Sequence, residues 1–232
     1  MLERGWEVKA FVRDATAPAD AALHAAGAEL AVGDLDDLES LRAAMKGVHG
    51  VFLMLTMMEG VHITAAGIAA EQRRGKAVVE LAKELGVRHF VYSSLNGAGA
   101  DSGVEYYAAK QAIEGFIAEA GLPATILRPV FFMDNFASFN RPGDYLGRTV
   151  PLAGDRLTPP QIAAVVGRIA GLPARSNEIP VEQVKAFDEQ VGKMFAYFNE
   201  GPDQPVDTAA LRAHHPDLLD FEGWLRATEW RP

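Results

Sequence analysis

The stretch VRHFVYSSLNGAGADSGVEYYAAK, residues 87–110, decides the fold of this chain. Its first part is an apolar run that ends in Ser93 and Ser94, which predicts a buried strand. Its second part predicts a helix that carries Tyr106 and Lys110. Residues four apart share one face of a helix, so the phenol hydroxyl and the ammonium are expected to lie side by side.

This Tyr-x-x-x-Lys pair has the parts that proton transfer needs. A free phenol has a pKa near ~10 and is a weak acid at neutral pH. A neighbouring cation favours the phenolate, so Lys110 is expected to lower the pKa of Tyr106. The pair can then exchange a proton with a carbonyl or a hydroxyl. The alternative is a surface tyrosine and a solvated lysine on an amphipathic helix, which is the commoner origin of so short a pattern.

Strands alternate with helices along the rest of the chain. Strands are predicted at Val8–Val12, Glu29–Val32, Val48–Leu55, Val87–Ser94, Ala124–Leu127 and Thr149–Ala153. Helices are predicted at Ala17–Ala26, from Asp36 to about Lys46, at Ala65–Leu85 and through Tyr106 to Ala120, followed by a helix capped by Thr158 and by helices at Glu182–Phe187, around Phe195–Phe198 and at Leu218–Leu225. This order predicts an α/β fold with a doubly wound, mostly parallel Rossmann-like sheet.

Local signals refine two of these helices. Asp36 with Glu39 three residues later is a capping-box arrangement, which predicts a helix start at Asp36. In the helix at Ala65–Leu85, the spacing of five residues is expected to place them on one face. Its members by spacing are Ile68, Gln72, Gly75, Val79 and Ala82.

Composition narrows the class of protein. The chain has 232 residues, a net charge of −9, no cysteine and six histidines. The acidic balance argues against nucleic acid or an anionic membrane as the main partner. The lack of cysteine excludes disulfides, a thiol nucleophile and thiolate zinc sites, and the histidines lack His-Glu-x-x-His spacing, so no metal site is expected. Since no apolar run reaches membrane-spanning length and the first residues are too polar for a signal peptide, we expect a cytoplasmic protein.

Several short runs point to a particular family. The Tyr-x-x-x-Lys helix after a serine-bearing strand resembles the short-chain dehydrogenase/reductase superfamily. The more specific runs are GWEVKAFVRD at 5–14, GDLDD at 33–37, GVHGVF at 47–52, GVRHFVYSS at 86–94, LPATILRP at 122–129 and FFMDNF at 131–136. In this order they resemble the NmrA-like family, an atypical branch that includes NAD(P)H-dependent reductases of quinones and catalytically silent redox sensors.

The resemblance implies a division of labour along the chain. Residues 1–140 are expected to form an NAD(P)-binding Rossmann-like domain, and residues 141–232 a smaller C-terminal substrate lobe. In the superfamily the tyrosine is the acid/base, the lysine also holds the nicotinamide ribose, and a serine orients the substrate oxygen. These roles carry over to Tyr106, to Lys110 and to either Ser93 or Ser94.

The resemblance also suggests the cofactor contacts. Arg13 directly follows a strand, where a guanidinium suits a 2′-phosphate, so NADP(H) is favoured over NAD(H). Asp14 is the counter-evidence, unless it caps the following turn. Asp34 is expected to contact the adenine amine, or alternatively to serve as a turn carboxylate. Leu55 and Thr56 are expected to line the middle of the cofactor.

A candidate substrate wall follows the last predicted strand of the first domain. Its members are Phe131, Phe132, Met133 and Asn135. They could enclose a flat apolar substrate, or they could be ordinary core residues.

Two features depart from the family pattern. No strand with a glycine-rich turn precedes the strand that leads to Arg13, although such a turn normally brings the backbone to the pyrophosphate. The absent strand is expected between the strands holding Arg13 and Ser94, where unpaired backbone groups cost about 1–3 kcal/mol each. A further strand and helix are also absent near residue 140. We expect either a shortened gene product or segments outside this sequence, and poor dinucleotide affinity if the cradle is truly absent.

Three hypotheses about function remain open. The first is an NADPH-dependent reductase of a small carbonyl or quinone-like substrate. The second is a redox sensor that binds dinucleotide and a regulatory protein partner, or a second copy of the chain, without turnover. The third is a degenerate domain that no longer binds dinucleotide.

Overall fold

The structure is a computed structural model that describes residues 2, 5–60, 62–99, 101–130, 149–201, 206–227 and 230, with the backbone alone at 149–152. Its strands are β1 (Lys9–Val12), β2 (Glu29–Val32), β3 (Gly50–Met54), β4 (Met58–Glu59), β5 (His62–Ile63), β6 (His89–Ser93), β7 (Ala124–Pro129) and β8 (Thr149–Leu152). Its helices are α1 (Pro18–Ala25), α2 (Leu38–Met45), α3 (Ala65–Glu84), α4 (Glu105–Ala120), α5 (Pro159–Ala170), α6 (Val181–Phe187), α7 (Glu189–Glu200), α8 (Thr208–His214) and α9 (Phe221–Ala227).

The larger sheet is parallel throughout. Its strand order is β3-β6-β7-β8, and Tyr92 lies opposite Leu53 on one side and Ile126 on the other. β1 and β2 form a second parallel pair, and β4 and β5 form a small antiparallel hairpin that the sequence did not predict. The prediction of a mostly parallel α/β fold with interleaved helices is confirmed.

The two parallel sheets are separate. Among the described residues, no backbone ladder joins β1 to β3. The side chain of Phe11, on β1, nevertheless packs against the main core, so the smaller sheet remains attached through side chains and through contacts of α2. The break therefore lies between β1 and β3, within the interval where the sequence predicts an absent strand.

The main core lies between the larger sheet and the helices α3 and α4. Gly75 permits their close approach, since a Cβ at this position would lie 2.7 Å from Cδ1 of Ile113. The buried members of this core are Leu41, Met45, Leu53, Leu55, Val78, Val79, Leu81, Ala82, Val87, Phe90, Tyr92, Ile113, Ile117 and Ala124. On the opposite face of the sheet, Leu211 of α8 packs against Val91 and Leu127.

The C-terminal helices contact the larger sheet through Leu211 and the hairpin through Asp188. The predicted cap of α5 is confirmed: the Thr158 hydroxyl accepts a hydrogen bond from the backbone of Gln161 within a full capping box. At the start of α7, one carboxylate oxygen of Asp188 accepts the backbone N–H of Ile63, in the hairpin, at 3.2 Å. The proposed boundary at residues 140 and 141 lies outside the described residues, so the division into two domains stays a prediction.

One local prediction is wrong. Asp37, not Asp36, caps α2 by accepting the backbone N–H of Glu39, and the carboxylate of Asp36 accepts hydrogen bonds from Arg73 and Arg74. On α3, Glu71 is fully buried, whereas the adjacent Gln72 is partly buried.

Candidate active site at the carboxyl edge of the sheet

The carboxyl ends of the parallel strands carry most of the predicted cofactor residues. β1 runs into Arg13, and β2 is followed by Asp34. β3 is followed by Leu55 and Thr56, and β6 by Ser94. Ligands of open α/β sheets bind at this edge. The strand topology therefore places the predicted cofactor residues where a ligand is expected.

Arg13 and Asp14 differ in their surroundings. One carboxylate oxygen of Asp14 accepts the backbone N–H of Thr16 at 2.8 Å and its hydroxyl at 2.6 Å. These hydrogen bonds, led by the one from the hydroxyl, lower the pKa of Asp14. Arg13 is exposed and forms no ion pair within the described part of the chain. Asp14 is therefore a turn residue, and the guanidinium remains available to a ligand.

Asp34 also serves a turn. Its carboxylate accepts the backbone N–H of Asp36 at 2.9 Å. Asp36 itself lies between Arg73 and Arg74, and their hydrogen bonds hold the pKa of that carboxyl well below its usual range. The exposed carboxylate of Asp34 keeps capacity for further donors, so its predicted contact with adenine stays a prediction.

The Lys110 side chain is buried beside the carboxyl end of β3. Its Nζ atom lies 2.6 Å from Oε1 of Glu71, on α3, and 3.2 Å from the carbonyl oxygen of Leu55. Lys110 is 5% exposed and Glu71 is fully buried. Because an unpaired buried charge costs several kcal/mol, each of these groups depends on the other. The ammonium also lies 5.8 Å from the centre of the Tyr92 ring.

Unsatisfied polar atoms occur in the same region. Oε2 of Glu71, the hydroxyl of Tyr92 and the hydroxyl of Ser94 are buried without a hydrogen-bond partner among the described residues. The backbone of Ser94 still bonds to Leu127, so strand alternation places its side chain on the same face as Tyr92. Buried polar groups are nearly always satisfied, so the unsatisfied atoms of Glu71 and Tyr92, both of which contact the ammonium, together with that of Ser94 fit a site for a polar ligand.

The alternation also separates the two candidate serines. Ser93 is buried, but its side chain belongs to the face of Val91, opposite to Tyr92. Ser94 belongs to the face that carries Lys110. The structure therefore favours Ser94 as the hydroxyl nearer to the lysine.

The expected lowering of the Tyr106 pKa is wrong for this structure. Burial, followed by the neighbouring Tyr107, raises the pKa of Tyr106 well above its ordinary value. Tyr106 is 4% exposed and packs in an apolar cluster with Ile68 and Val104. The partners of the Lys110 ammonium are Glu71 and Leu55, so its charge is directed to α3 and β3.

Aromatic rings surround Tyr106. Its ring meets that of Tyr107 edge to face at 4.9 Å, and Tyr107 meets Tyr197 of α7 at 5.9 Å. The loop after β6 makes room through Gly97, where φ is +96° and a Cβ would lie 2.8 Å from the Tyr107 ring. Burial raises the pKa of Tyr107 to about 12. The start of α4 thus forms an aromatic wall beside the lysine.

Some predicted residues remain without structural information. Phe131, Phe132, Met133 and Asn135 lie outside the described residues, so their substrate role stays a prediction. Thr56 is exposed, and its hydroxyl accepts the backbone N–H of Met58 at 3.1 Å.

No group of three or more acidic or histidine side chains in the described ranges could hold a metal ion. None of the helices described there is both long enough and apolar enough to span a membrane.

Glu71 is the site residue that sequence reasoning missed. A usable signal was present, because position 71 lies three residues after Ile68 and four before Gly75, on the face that holds both. An acidic residue on an apolar helix face needs a cationic partner when it is buried. The partner itself, 39 positions later, could not be read from spacing.

Solved structures with a similar backbone define the class. Triphenylmethane reductase of Citrobacter sp., complexed with NADP(H), is 17% identical with a TM-score of 0.70, covering 94% of this chain and 89% of that one. NmrA, a negative transcriptional regulator in complex with NAD, is 18% identical with a TM-score of 0.74, covering 97% and 88%. The quinone oxidoreductase QOR2 of Escherichia coli is 19% identical with a TM-score of 0.69, covering 98% and 93%. With the parallel sheet, these likenesses define a Rossmann-type α/β protein.

Sequence comparison identifies the family. The model of the NmrA-like family matches residues 1–144, so the chain belongs to that family. An NAD(P)H azoreductase of Xenophilus azovorans is 28% identical over 214 residues, covering 76% of this chain and 70% of the azoreductase. The nitrogen metabolite repression protein nmr of Neurospora crassa is 34% identical over 76 residues, which span 31% of this chain and 16% of that protein.

Proposed function

We propose that this chain is an NADPH-dependent oxidoreductase that reduces a small carbonyl or quinone-like substrate in the cytoplasm. The observation that carries the proposal is the Lys110 ammonium, buried at the carboxyl end of β3 in contact with Glu71 and Tyr92, each of which has an unsatisfied polar atom. An ammonium and a serine hydroxyl at this edge fit the ribose and amide groups of a nicotinamide dinucleotide. Relatives named as azoreductase and quinone oxidoreductase support the same class of reaction.

Each predicted residue has a task in this proposal. Lys110 would hold the ribose next to the nicotinamide, with Leu55 and Thr56 along the middle of the cofactor and Asp34 near the adenine. Arg13 would pair with a 2′-phosphate, which supports NADP(H) over NAD(H). When bound, the reduced dinucleotide supplies a hydride. Phe131, Phe132, Met133 and Asn135 would enclose the substrate, whose oxygen Ser94, or Ser93 in its place, would orient.

Tyr106 is the proposed proton donor. Burial and the neighbouring Tyr107 raise its pKa, so the phenol keeps its proton in the neutral range but is a weaker acid than a free phenol. A neutral phenol can still donate a hydrogen bond, and then a proton, to a substrate oxygen that gains negative charge.

The test combines binding and turnover. NADPH and NADH are titrated into the purified protein by calorimetry, and NADPH oxidation is then followed with a panel of quinones and azo compounds. Steady oxidation that falls by about 10²–10⁴-fold in Tyr106→Phe supports the proposal, because general acid catalysis contributes that much. Tyr197→Phe removes a hydroxyl from a ring that contacts Tyr107 and is expected to keep most of the activity. Undiminished turnover in Tyr106→Phe would exclude Tyr106 as the donor.

A redox sensor is the second candidate. The burial of Tyr106 in an apolar cluster favours binding without turnover. NmrA, a negative transcriptional regulator, has been solved with NAD. This candidate predicts heat on dinucleotide titration, no substrate reduction and a dinucleotide-dependent complex with a regulatory protein or a second copy. Absence of heat with both dinucleotides would contradict both candidates and leave a degenerate domain.

A further inference from the structure

We propose that Glu71 is a positioning residue that fixes the Lys110 ammonium at the carboxyl end of β3 for contact with the dinucleotide. The proposal rests on the proposed function, because it assigns Lys110 to a bound cofactor. Glu71 acts through Lys110 and needs no contact of its own with the ligand.

The geometry brings Glu71 to the lysine from a separate helix. Glu71 is on α3 and Lys110 is on α4, and the two helices approach closely at Gly75 and Ile113. The pair is joined by the 2.6 Å contact between Oε1 and Nζ. Since Gly75 lies one helical turn after Glu71 on the same face, the close packing also sets the position of the carboxylate.

The hydrogen bonds of the ammonium leave one donor available. A lysine ammonium has three N–H donors. Glu71 and the carbonyl oxygen of Leu55 accept two of them. Among the described residues no third acceptor is bonded to this group, so one donor remains for a ligand hydroxyl. Without Glu71, the carbonyl of Leu55 would be the single fixed contact, and the ammonium could rotate away.

The energetics of the Glu71–Lys110 ion pair also indicate that Glu71 positions the ammonium and adds little to the stability of the fold. Oε2 of Glu71 has no hydrogen-bond partner among the described residues, so Lys110 is the single partner that the structure gives this carboxylate. A buried ion pair adds little net stability, because the cost of desolvating both charges offsets their attraction. Its location beside the predicted cofactor edge points instead to control of where the ammonium lies.

The first measurement does not need the cofactor. In ¹H–¹⁵N spectra of lysine ammonium groups, a doubly hydrogen-bonded, buried Lys110 is expected to give a slowly exchanging signal, assigned by its loss in Lys110→Met. Glu71→Gln keeps the shape but removes the charge, and it is expected to abolish this signal. Glu114 is on α4, as Lys110 is, and pairs with Arg128 of β7, so Glu114→Gln breaks a different, partly buried ion pair and is expected to preserve the Lys110 signal. Persistence of the signal in Glu71→Gln would overturn the proposal.

The second measurement links the pair to the ligand. Glu71→Gln is expected to weaken NADPH binding by roughly tenfold, the loss typical of one charge-assisted contact, whereas Glu114→Gln is not. In a Lys110→Met background, Glu71→Gln is expected to have no further effect on affinity, because its action passes through the lysine. Additive losses in the double variant would overturn the positioning role.

The outcomes separate this proposal from the proposed function. If wild type binds neither NADPH nor NADH, the proposed function fails, and the ammonium signal alone decides whether Glu71 holds Lys110. If wild type binds NADPH and Glu71→Gln binds it equally well, the proposed function stands and the positioning role fails. Should Glu71→Gln not fold, Glu71→Asp, which keeps the charge on a shorter side chain, is expected to give an intermediate affinity, and an unchanged affinity would contradict the proposal.

Discussion

The polar side chains at the carboxyl edge differ in how much hydrogen-bonding capacity they keep for a ligand. Asp14 and Asp34 hold the backbone of turns, so much of their capacity is used within the chain. Arg13 is exposed, and Lys110 keeps one N–H donor beyond its contacts with Glu71 and Leu55. The groups that remain for a ligand are therefore mainly cations, which suits a phosphate-bearing cofactor even in a chain of net charge −9.

Arg13→Ala tests the coenzyme preference. A guanidinium that pairs with a 2′-phosphate makes charge-assisted hydrogen bonds absent from NADH, so the affinity for NADPH should fall by about tenfold or more while that for NADH stays unchanged. Arg88→Ala, which removes an exposed cation just before β6 at the opposite end of a strand, serves as the control. Calorimetric titrations measure both constants, and an equal loss for the two coenzymes would exclude the 2′-phosphate contact.

The packing of α3 on α4 sets the distance between the Glu71 carboxylate and the Lys110 ammonium. These two helices hold Glu71 and Lys110, and their separation depends on the missing Cβ of Gly75. A wider separation would stretch the ion pair and leave both charges buried. The stability of the protein and the geometry of the candidate site therefore depend on the same contact.

Gly75→Ala tests this helix contact. The added methyl group would lie 2.7 Å from Ile113 Cδ1, and such overpacking should lower the free energy of unfolding by about 1–3 kcal/mol. Gly115→Ala is the matched control, since a Cβ there meets no atom within 4 Å. Because alanine is a better helix former than glycine, the control should gain about 0.5–1 kcal/mol. Urea denaturation gives both values, and equal gains would show that the helices are not in close contact at Gly75.

The C-terminal helices and the sheet are joined through Asp188. Its carboxylate accepts backbone N–H groups from Gln190 and Val191, at the start of α7, and from Ile63 in the hairpin. Lys193 adds an ion pair to Glu105 at 3.3 Å, at the start of α4. The predicted substrate lobe is thus connected to the element that carries Tyr106.

Asp188 should make the stability of the whole molecule sensitive to acid. Burial opposes ionisation, but the three backbone hydrogen bonds outweigh it and lower the pKa of Asp188. A lowered native pKa contributes stability that is complete above the ordinary carboxyl pKa, near ~3.9, and is lost as the pH falls through the native value. Asp188→Asn should therefore lower the free energy of unfolding at pH 7 by about 1–3 kcal/mol and flatten its decline below about pH 4.

The measurement is the free energy of unfolding from denaturant titrations across that pH range. Asp207→Asn alters an exposed cap of α8 and should leave the profile close to that of wild type. A profile of Asp188→Asn that keeps the full decline below pH 4 would show that other carboxyls cause it.

Local patterns predicted the elements well because their causes are local. The helix ends at Gly86 and Gly121 follow from glycines that adopt φ of +68° and +67°, and apolar runs located each strand of the larger sheet to within a few residues. Asp36 was assigned wrongly as the cap of α2 because the capping pattern does not distinguish two adjacent aspartates, of which Asp36 instead pairs with Arg73 and Arg74 far along the chain.

Short-range periodicity and turn chemistry encode the alternation of strands and helices and the placement of Tyr106 and Lys110 on one helix, whereas the family was indicated by the resemblance of six short motifs. Tertiary contacts were needed to show that Lys110 pairs with Glu71, that Tyr106 lies in an apolar cluster with a raised pKa, and that no ladder joins β1 to β3 among the described residues. The physical reason is that electrostatic partners and dielectric surroundings depend on which helices pack together, and that contact joins residues far apart in the chain.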